Sequence, residues 1–234
     1  MITDLHSHTF YSNCGRDDPE ALILHMIEKG VRVLGITDHN YGIGDKEEEY
    51  RKHIRSLAEK YSSQIKVLCG IEICTLPHLS PEKNKNFAEY DYCLMENLSD
   101  DGGEMKKDIL SYTSGYKCPV GIAHTDLFGL IRSLGADTDK YLKSLAERGV
   151  FWELNVNYDS IHNYREHEYV KTFMNSESQR QAVKNAGLYV SVGFDGHRME
   201  DYDVKRVECA NDFLKKYGIK NAVELIANFN KSKK

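Results

Sequence analysis

Seven short apolar runs, separated by longer stretches of helical character, set the limits on what this chain can become. The runs are Ile2–Leu5, Val31–Ile36, Ile65–Ile73, Tyr90–Met95, Pro119–Ala123, Val150–Leu154 and Leu188–Val192. Amphipathic stretches fall between them at Pro19–Lys29, Asp45–Tyr61, Glu104–Tyr116, Thr138–Arg148 and Asn175–Ala186, with two more near Asp203–Tyr217 and Lys220–Asn230. The first helix has clear end signals, Asp18-Pro19 at its start and Gly30 at its end. Strand and helix in regular alternation predict a parallel sheet with helices outside it. Periodicity by itself does not choose between an open doubly wound sheet and a closed barrel. The chain has 234 residues, the size of a one-domain (β/α) barrel, and no linker or tandem repeat divides it. The expected organisation is therefore a single domain over residues 1–234.

The polar residues choose between the two sheets. The first strand is followed by His6 and His8, the second by Asp38 and His39, and the third ends in Glu72. Glu96 and Asn97 follow the fourth, and His124 and Asp126 the fifth. The sixth carries Glu153 and Asn155, and the seventh leads to Asp195 and His197. All seven strands thus deliver carboxylate, imidazole or amide groups at their C-terminal ends. That end is the active-site face of a (β/α) barrel, whereas an open sheet gathers such groups only near its switch point. Closure is the expectation. His6 and His8, one residue apart on an extended strand, point the same way. Burying this many ionisable groups without compensation would cost several kcal/mol each, and a cluster of cations supplies the compensation. The mixed nitrogen and oxygen donors suit Zn²⁺, Mn²⁺ or Fe²⁺.

Composition removes other classes. Net charge is −5, which makes a nucleic-acid partner unlikely. No apolar run reaches the length of a membrane span, and the first residues lack the pattern of a secretory signal. The six cysteines form no CxxC pair and four lie in or beside strand-like runs, as expected of a reduced, cytoplasmic protein.

The motifs Asp4-Leu-His6-Ser-His8-Thr9, Ile36-Thr-Asp38-His39, Gly70-Ile-Glu72, Ala123-His124 and Gly193-Phe-Asp195-Gly-His197 resemble the signature set of the PHP (polymerase and histidinol phosphatase) superfamily, over residues 2 to about 198. The resemblance implies a distorted seven-stranded (β/α) barrel that binds two or three divalent ions and hydrolyses phosphate esters. By position, His6 and His8 with Glu72 and Asp195 would hold one ion. Glu72 would bridge to a second, also held by His124, and His39 and His197 would hold a third. Two positions depart from the family. Glu96-Asn97-Leu98 stands where a histidine usually follows the fourth strand, with Glu96 or Asp17 as substitutes. Cys14 occupies a ligand position that is often His or Asp, and cysteine is a good zinc ligand.

The function this implies is hydrolysis of a small phosphate monoester, histidinol-phosphatase-like, by attack of metal-activated hydroxide on phosphorus. Arg198, next to His197, and Arg16, after Cys14, are the expected grips on the phosphate. Metal-bound water, His39 and Asp126 are the candidate donors of the leaving-group proton. A phosphodiesterase acting on nucleotides, or a metal-binding module with a partly decayed site, is the alternative. The tyrosine-rich stretch Tyr158–Tyr169 would stack a planar leaving group or, more simply, pack as a helix start.

Overall fold

In a computed structural model, described over residues 1–81, 85–98, 102 and 109–232, the expected strands form. They are β1 (Ile2–Asp4), β2 (Val31–Ile36), β3 (Lys66–Cys74), β4 (Tyr92–Glu96), β5 (Val120–Ile122), β6 (Val150–Asn155) and β7 (Val190–Gly193). Each pairs in parallel with the next in chain order. The ring is joined at the strand ends, where Leu5 N–H donates to Val192 O (2.9 Å) and Asp195 N–H to His6 O (2.8 Å). The sheet is thus a distorted, nearly closed (β/α)7 barrel of the TIM-barrel kind.

Helices α1 (Pro19–Glu28), α2 (Asn40–Ile43), α3 (Glu47–Lys60), α4 (Ile109–Tyr112) and α5 (Leu127–Ser133) accompany the first five strands. Then come α6 (Thr138–Glu147), α7 (Glu168–Asn175), α8 (Glu177–Ala186), α9 (Val204–Tyr217) and α10 (Ala222–Ser232). Asp18 caps α1 by accepting from the backbone of Glu20 and Ala21, with Pro19 in the first turn. Strand and helix ends agree with the sequence reading to within one or two residues in most cases. Short helices α2 and α5 were not anticipated, being too brief to carry a period, whereas α7 starts at the end of the Tyr158–Tyr169 stretch, with Tyr169 packed in its first turn. Of the helix expected at Glu104–Tyr116, residues 104–108 lie outside the described residues, and the rest is α4 followed by a 3₁₀ turn. No helix among the described residues is long and apolar enough to cross a membrane.

Two apolar layers hold the barrel. One lies between strands and helices and includes Ile23, Ile36, Ile54, Ile122, Leu145, Trp152 and Val207. The other gathers Leu5, Val33, Leu68, Tyr92, Leu94 and Phe151, and Ala222, Val223 and Ile226 of α10 join it. Tyr92 fits because the strands beside it carry glycines. A Cβ on Gly35 would stand 1.8 Å from the Tyr92 hydroxyl, which instead donates to Leu5 O at 2.6 Å.

Candidate metal centre

Backbone pairing continues past the strands and sets the site. Isolated parallel bridges place His39 beside Glu72 and Ser7 beside Gly196. The chain is bent sharply where the ligands leave the strands: Asn97, His124 and Asp195 all have positive φ (63°, 24° and 57°). Such backbone is costly for a side chain other than glycine, and is found where function over-determines it.

Behind the cup, ordinary hydrogen bonds aim the imidazoles. A carboxylate only accepts, so the 2.8 Å contact from His6 Nδ1 to Glu153 Oε1 fixes the proton on Nδ1. Glu153 Oε2 receives the His124 backbone N–H at 2.7 Å. The Ser12 hydroxyl donates to Asp38 Oδ1 (2.7 Å) and so accepts from His39 N–H (2.9 Å) and His8 Nδ1 (3.2 Å). His197 Nδ1 donates to Asp195 O at 2.9 Å. His6 and His8 therefore turn Nε2 lone pairs inward, the usual preparation of a metal-ligating histidine.

Those lone pairs meet each other. His6 Nε2 and His8 Nε2 are 3.1 Å apart. Glu72 Oε1 lies 3.2 Å from His6 Nε2 and 3.1 Å from His124 Nε2, while Oε2 lies 2.9 Å from His39 Nδ1. Asp195 Oδ1 stands 3.0 Å from His8 Nε2 and 3.4 Å from His6 Nε2. Glu96 Oε1 is 3.3 Å from His39 Nδ1. Yet His39 Nδ1, Glu72 Oε2 and Glu96 Oε1 are buried and make no hydrogen bond among the described residues. Three buried donor atoms this close, unpartnered among the described residues, fit a shared cation.

Electrostatics agree. Burial opposes the charge on Glu72 and Asp195, but the imidazole of His6, with His39 at Glu72, holds both carboxyls well below their usual range. Burial opposes protonation of His6, His124 and His197 as well. Glu72 nonetheless raises His6 and lifts His124 to about 9, and Asp159 with Cys14 lifts His197 to about 10. At His8 desolvation wins, lowering it to about 3. Burial works against the Cys14 thiolate, but His197 and His39 bring the thiol down to about 7.

His6, His8, Cys14, His39, Glu72, His124, Asp195 and His197 thus share one cup. Ligand-capable atoms fall into four groups within 4.8 Å among the described residues: His6–His8–Asp195, His39–Glu72–Glu96, His8–Cys14–His39–His197 and Asp159–His162–His197. Glu96 supplies a carboxylate where the fourth strand lacks a histidine. Asp17 is engaged elsewhere, accepting from Met199 N–H at 2.6 Å. Asp126 stays out of the cup, which removes it as a proton donor. Its carboxyl is half exposed, caps α5 by accepting from Gly129 N–H (2.8 Å) and faces Arg132. Arg198 lies half-buried beside His197, with Nε unpartnered among the described residues and Nη1 3.4 Å from Ser160 Oγ. Arg16 is exposed, its backbone N–H donating to His197 O. One residue escaped the sequence reading. Asp159, fully buried, accepts from His162 Nδ1 at 2.7 Å, and His162 Nε2 lies 3.7 Å from Asp195 Oδ2. Its only sequence signal was an acid three residues before a histidine in the loop after β6.

Comparison with known proteins bears on this arrangement. The chain superposes on a histidinol phosphate phosphatase of Lactococcus lactis subsp. lactis Il1403, a structure holding zinc, L-histidinol and phosphate. The TM-score is 0.62 at 17% identity, over 94% of this chain and 95% of that one. A Listeria monocytogenes chain described provisionally as a histidinol phosphatase aligns with TM-score 0.50 and 16% identity, over 85% of this chain and 96% of that one. No curated protein matches in sequence. These likenesses concern the fold. Membership is carried by a family model, the PHP domain, which matches residues 4–230 and so takes in every ligand-bearing strand end: the chain belongs to the PHP domain family.

Proposed function

We propose that the protein is a metal-dependent phosphoesterase that hydrolyses a small phosphate monoester of the histidinol phosphate type. The convergence of His6, His8, Glu72, His124 and Asp195 on common points, with buried donor atoms unpartnered at the centre, carries this reading. Membership of the PHP domain family and the zinc, L-histidinol and phosphate of the Lactococcus neighbour support it. His6, His8 and Asp195 would hold one divalent ion. Glu72 would bridge to a second with His124, and His39, His197 and Cys14 would hold a third, with Glu96 reinforcing the His39–Glu72 side. When bound, such ions neutralise the phosphate and make hydroxide available near neutral pH.

The chain's own groups supply the rest. Arg198, with a free Nε–H on a half-buried guanidinium, grips a non-bridging phosphate oxygen, and Arg16 reaches the same anion from the exposed loop. His162, held by Asp159 through Nδ1, turns Nε2 toward Asp195 at the mouth of the cup and is the group placed to serve the departing oxygen. The test compares p-nitrophenyl phosphate with bis-p-nitrophenyl phosphate after metal analysis. Turnover of the monoester, lost in His8→Ala and Asp195→Ala while circular dichroism stays native, is the expected result. Preference for the diester would move the reading to a phosphodiesterase. Bound metal with no turnover of either would leave a binding module.

A further inference from the structure

The cup's donors are not uniform. On the His6–Glu72–His124–Asp195 side they are imidazole and carboxylate. On the other side Cys14 brings a sulfur within 4.8 Å of ring nitrogens of His8, His39 and His197. The His8 Nε2 already faces His6 and Asp195, so the ligands proper to this seat are Cys14, His39 and His197. The loop that presents the sulfur is fastened on both sides. Phe10 N–H donates to Asp17 O, Arg16 N–H to His197 O, and Ser12 is tied to Asp38. A Cβ on Gly15 would lie 2.2 Å from Thr9 O, so the turn that carries Cys14 is built around a close backbone approach. Cys69, Cys74, Cys93 and Cys118 are buried, whereas Cys14 is partly open to solvent.

We propose that Cys14, His39 and His197 form a thiolate-containing seat that selects a soft cation such as Zn²⁺ and releases it when the sulfur is oxidised. This rests on the reading that the cup holds cations, and adds which cation and under what control. Thiolate ligands favour zinc over the hard ions that oxygen donors accept, and three protein ligands leave a position open to substrate or water. Hydrogen peroxide is the oxidant class. The Cys14 sulfur attacks one peroxide oxygen, an S–O bond forms, the O–O bond breaks, and hydroxide departs and takes a proton from solvent to become water. Sulfur loses two electrons and peroxide gains them. The sulfenic acid so formed is no longer an anionic ligand, and a small thiol returns it to the thiol through a mixed disulfide. Hydrolysis would thereby fall under oxidising conditions and recover under reduction.

Cobalt(II) reads the seat without any assay of activity. Metal-stripped protein loaded with Co²⁺ is expected to show a sulfur-to-cobalt charge-transfer band in the near ultraviolet. The band should be absent in Cys14→Ser and in Cys14→Asp, the latter retaining a cation through its carboxylate. Zinc-loaded wild type treated with hydrogen peroxide should release a zinc ion to a chromogenic chelator and recover it after dithiothreitol, while Cys14→Asp should release none. Cys209 is the exposed cysteine, and Cys209→Ser is expected to behave as wild type in both measurements. Cobalt bound without the band, or a band that survives Cys14→Ser, overturns the thiolate seat and leaves the phosphoesterase reading standing. No cobalt bound at all overturns both.

Discussion

Each imidazole on the His6–His8 side spends one nitrogen on the protein and keeps the other for the centre, and the residues that enforce this are open to test one at a time. Glu153 accepts from His6 Nδ1 and from the His124 backbone. Glu153→Gln keeps the volume but turns an amide N–H toward one of those two donors. The expected result is a folded barrel whose metal affinity, read by chelator competition, falls about 10- to 100-fold. An unchanged affinity would remove Glu153 from the ligand-orienting role. His162 is tested differently. A proton donor matters most when the leaving group is a poor one, so His162→Gln should lower kcat for alkyl phosphates by about 10²- to 10⁴-fold and for p-nitrophenyl phosphate far less. An equal loss on both would mean that His162 positions substrate and transfers no proton. The histidines and acids that meet in the cup were legible because such residues recurred after every strand. Ser12 and Asp159 were not, because a serine or aspartate in a loop looks the same whether it caps a turn or orients its neighbour. Asp126 misled for the same reason: an acid two residues after His124 became a helix cap.

At the scale of elements, β2 and β6 announced themselves through apolar runs, α1 through its end signals and α3 through its length. Helix α5 did not, since seven residues give barely two turns and its apolar face reads equally as loop packing. What no periodicity could show was how strands accommodate one another. Gly193 in β7 is the clearest instance. A Cβ there would stand 2.0 Å from Glu153 Oε1 and 2.6 Å from His6 Cβ. Both neighbours are fully buried, so neither can move aside cheaply. Gly193→Ala is expected to destabilise the protein by about 1–3 kcal/mol and to displace His6 from the cup. Thermal unfolding combined with metal titration checks it, and a variant with native melting and native metal binding would show that β6 and β7 yield more readily than this packing implies.

Across the whole molecule, barrel closure forces opposite charges from residues nearly two hundred positions apart into one buried volume, and metal and proton become alternative ways of balancing them. In the metal-free chain the carboxylates of Glu72 and Asp195 are balanced by protons on the imidazoles. The His124 and His197 pKa values stand at about 9 and about 10 in the folded state, above the ordinary value near 6.5. A base whose pKa is raised by folding contributes stability that is complete below about pH 6.5 and is lost as pH climbs through the folded values. Cys14, lowered to about 7, acts in the opposite sense over a narrower window, between its folded value and about 8.5 to 9, and offsets only part of the loss. Metal-stripped protein should therefore melt at progressively lower temperature from pH 6.5 to 10. Cations reverse the dependence: filling the cup must displace the protons on His124, His197 and Cys14, so affinity rises with pH over the same interval. At free metal about 100 times Kd the stabilisation is about 2.7 kcal/mol, which for a chain of this length is a rise in Tm of about 5–10 °C. The gap between the two melting curves should thus widen with pH, and metal addition in weak buffer should release protons. A constant gap with no proton release would mean that the imidazoles are already neutral without metal and that the cup is balanced by some other means.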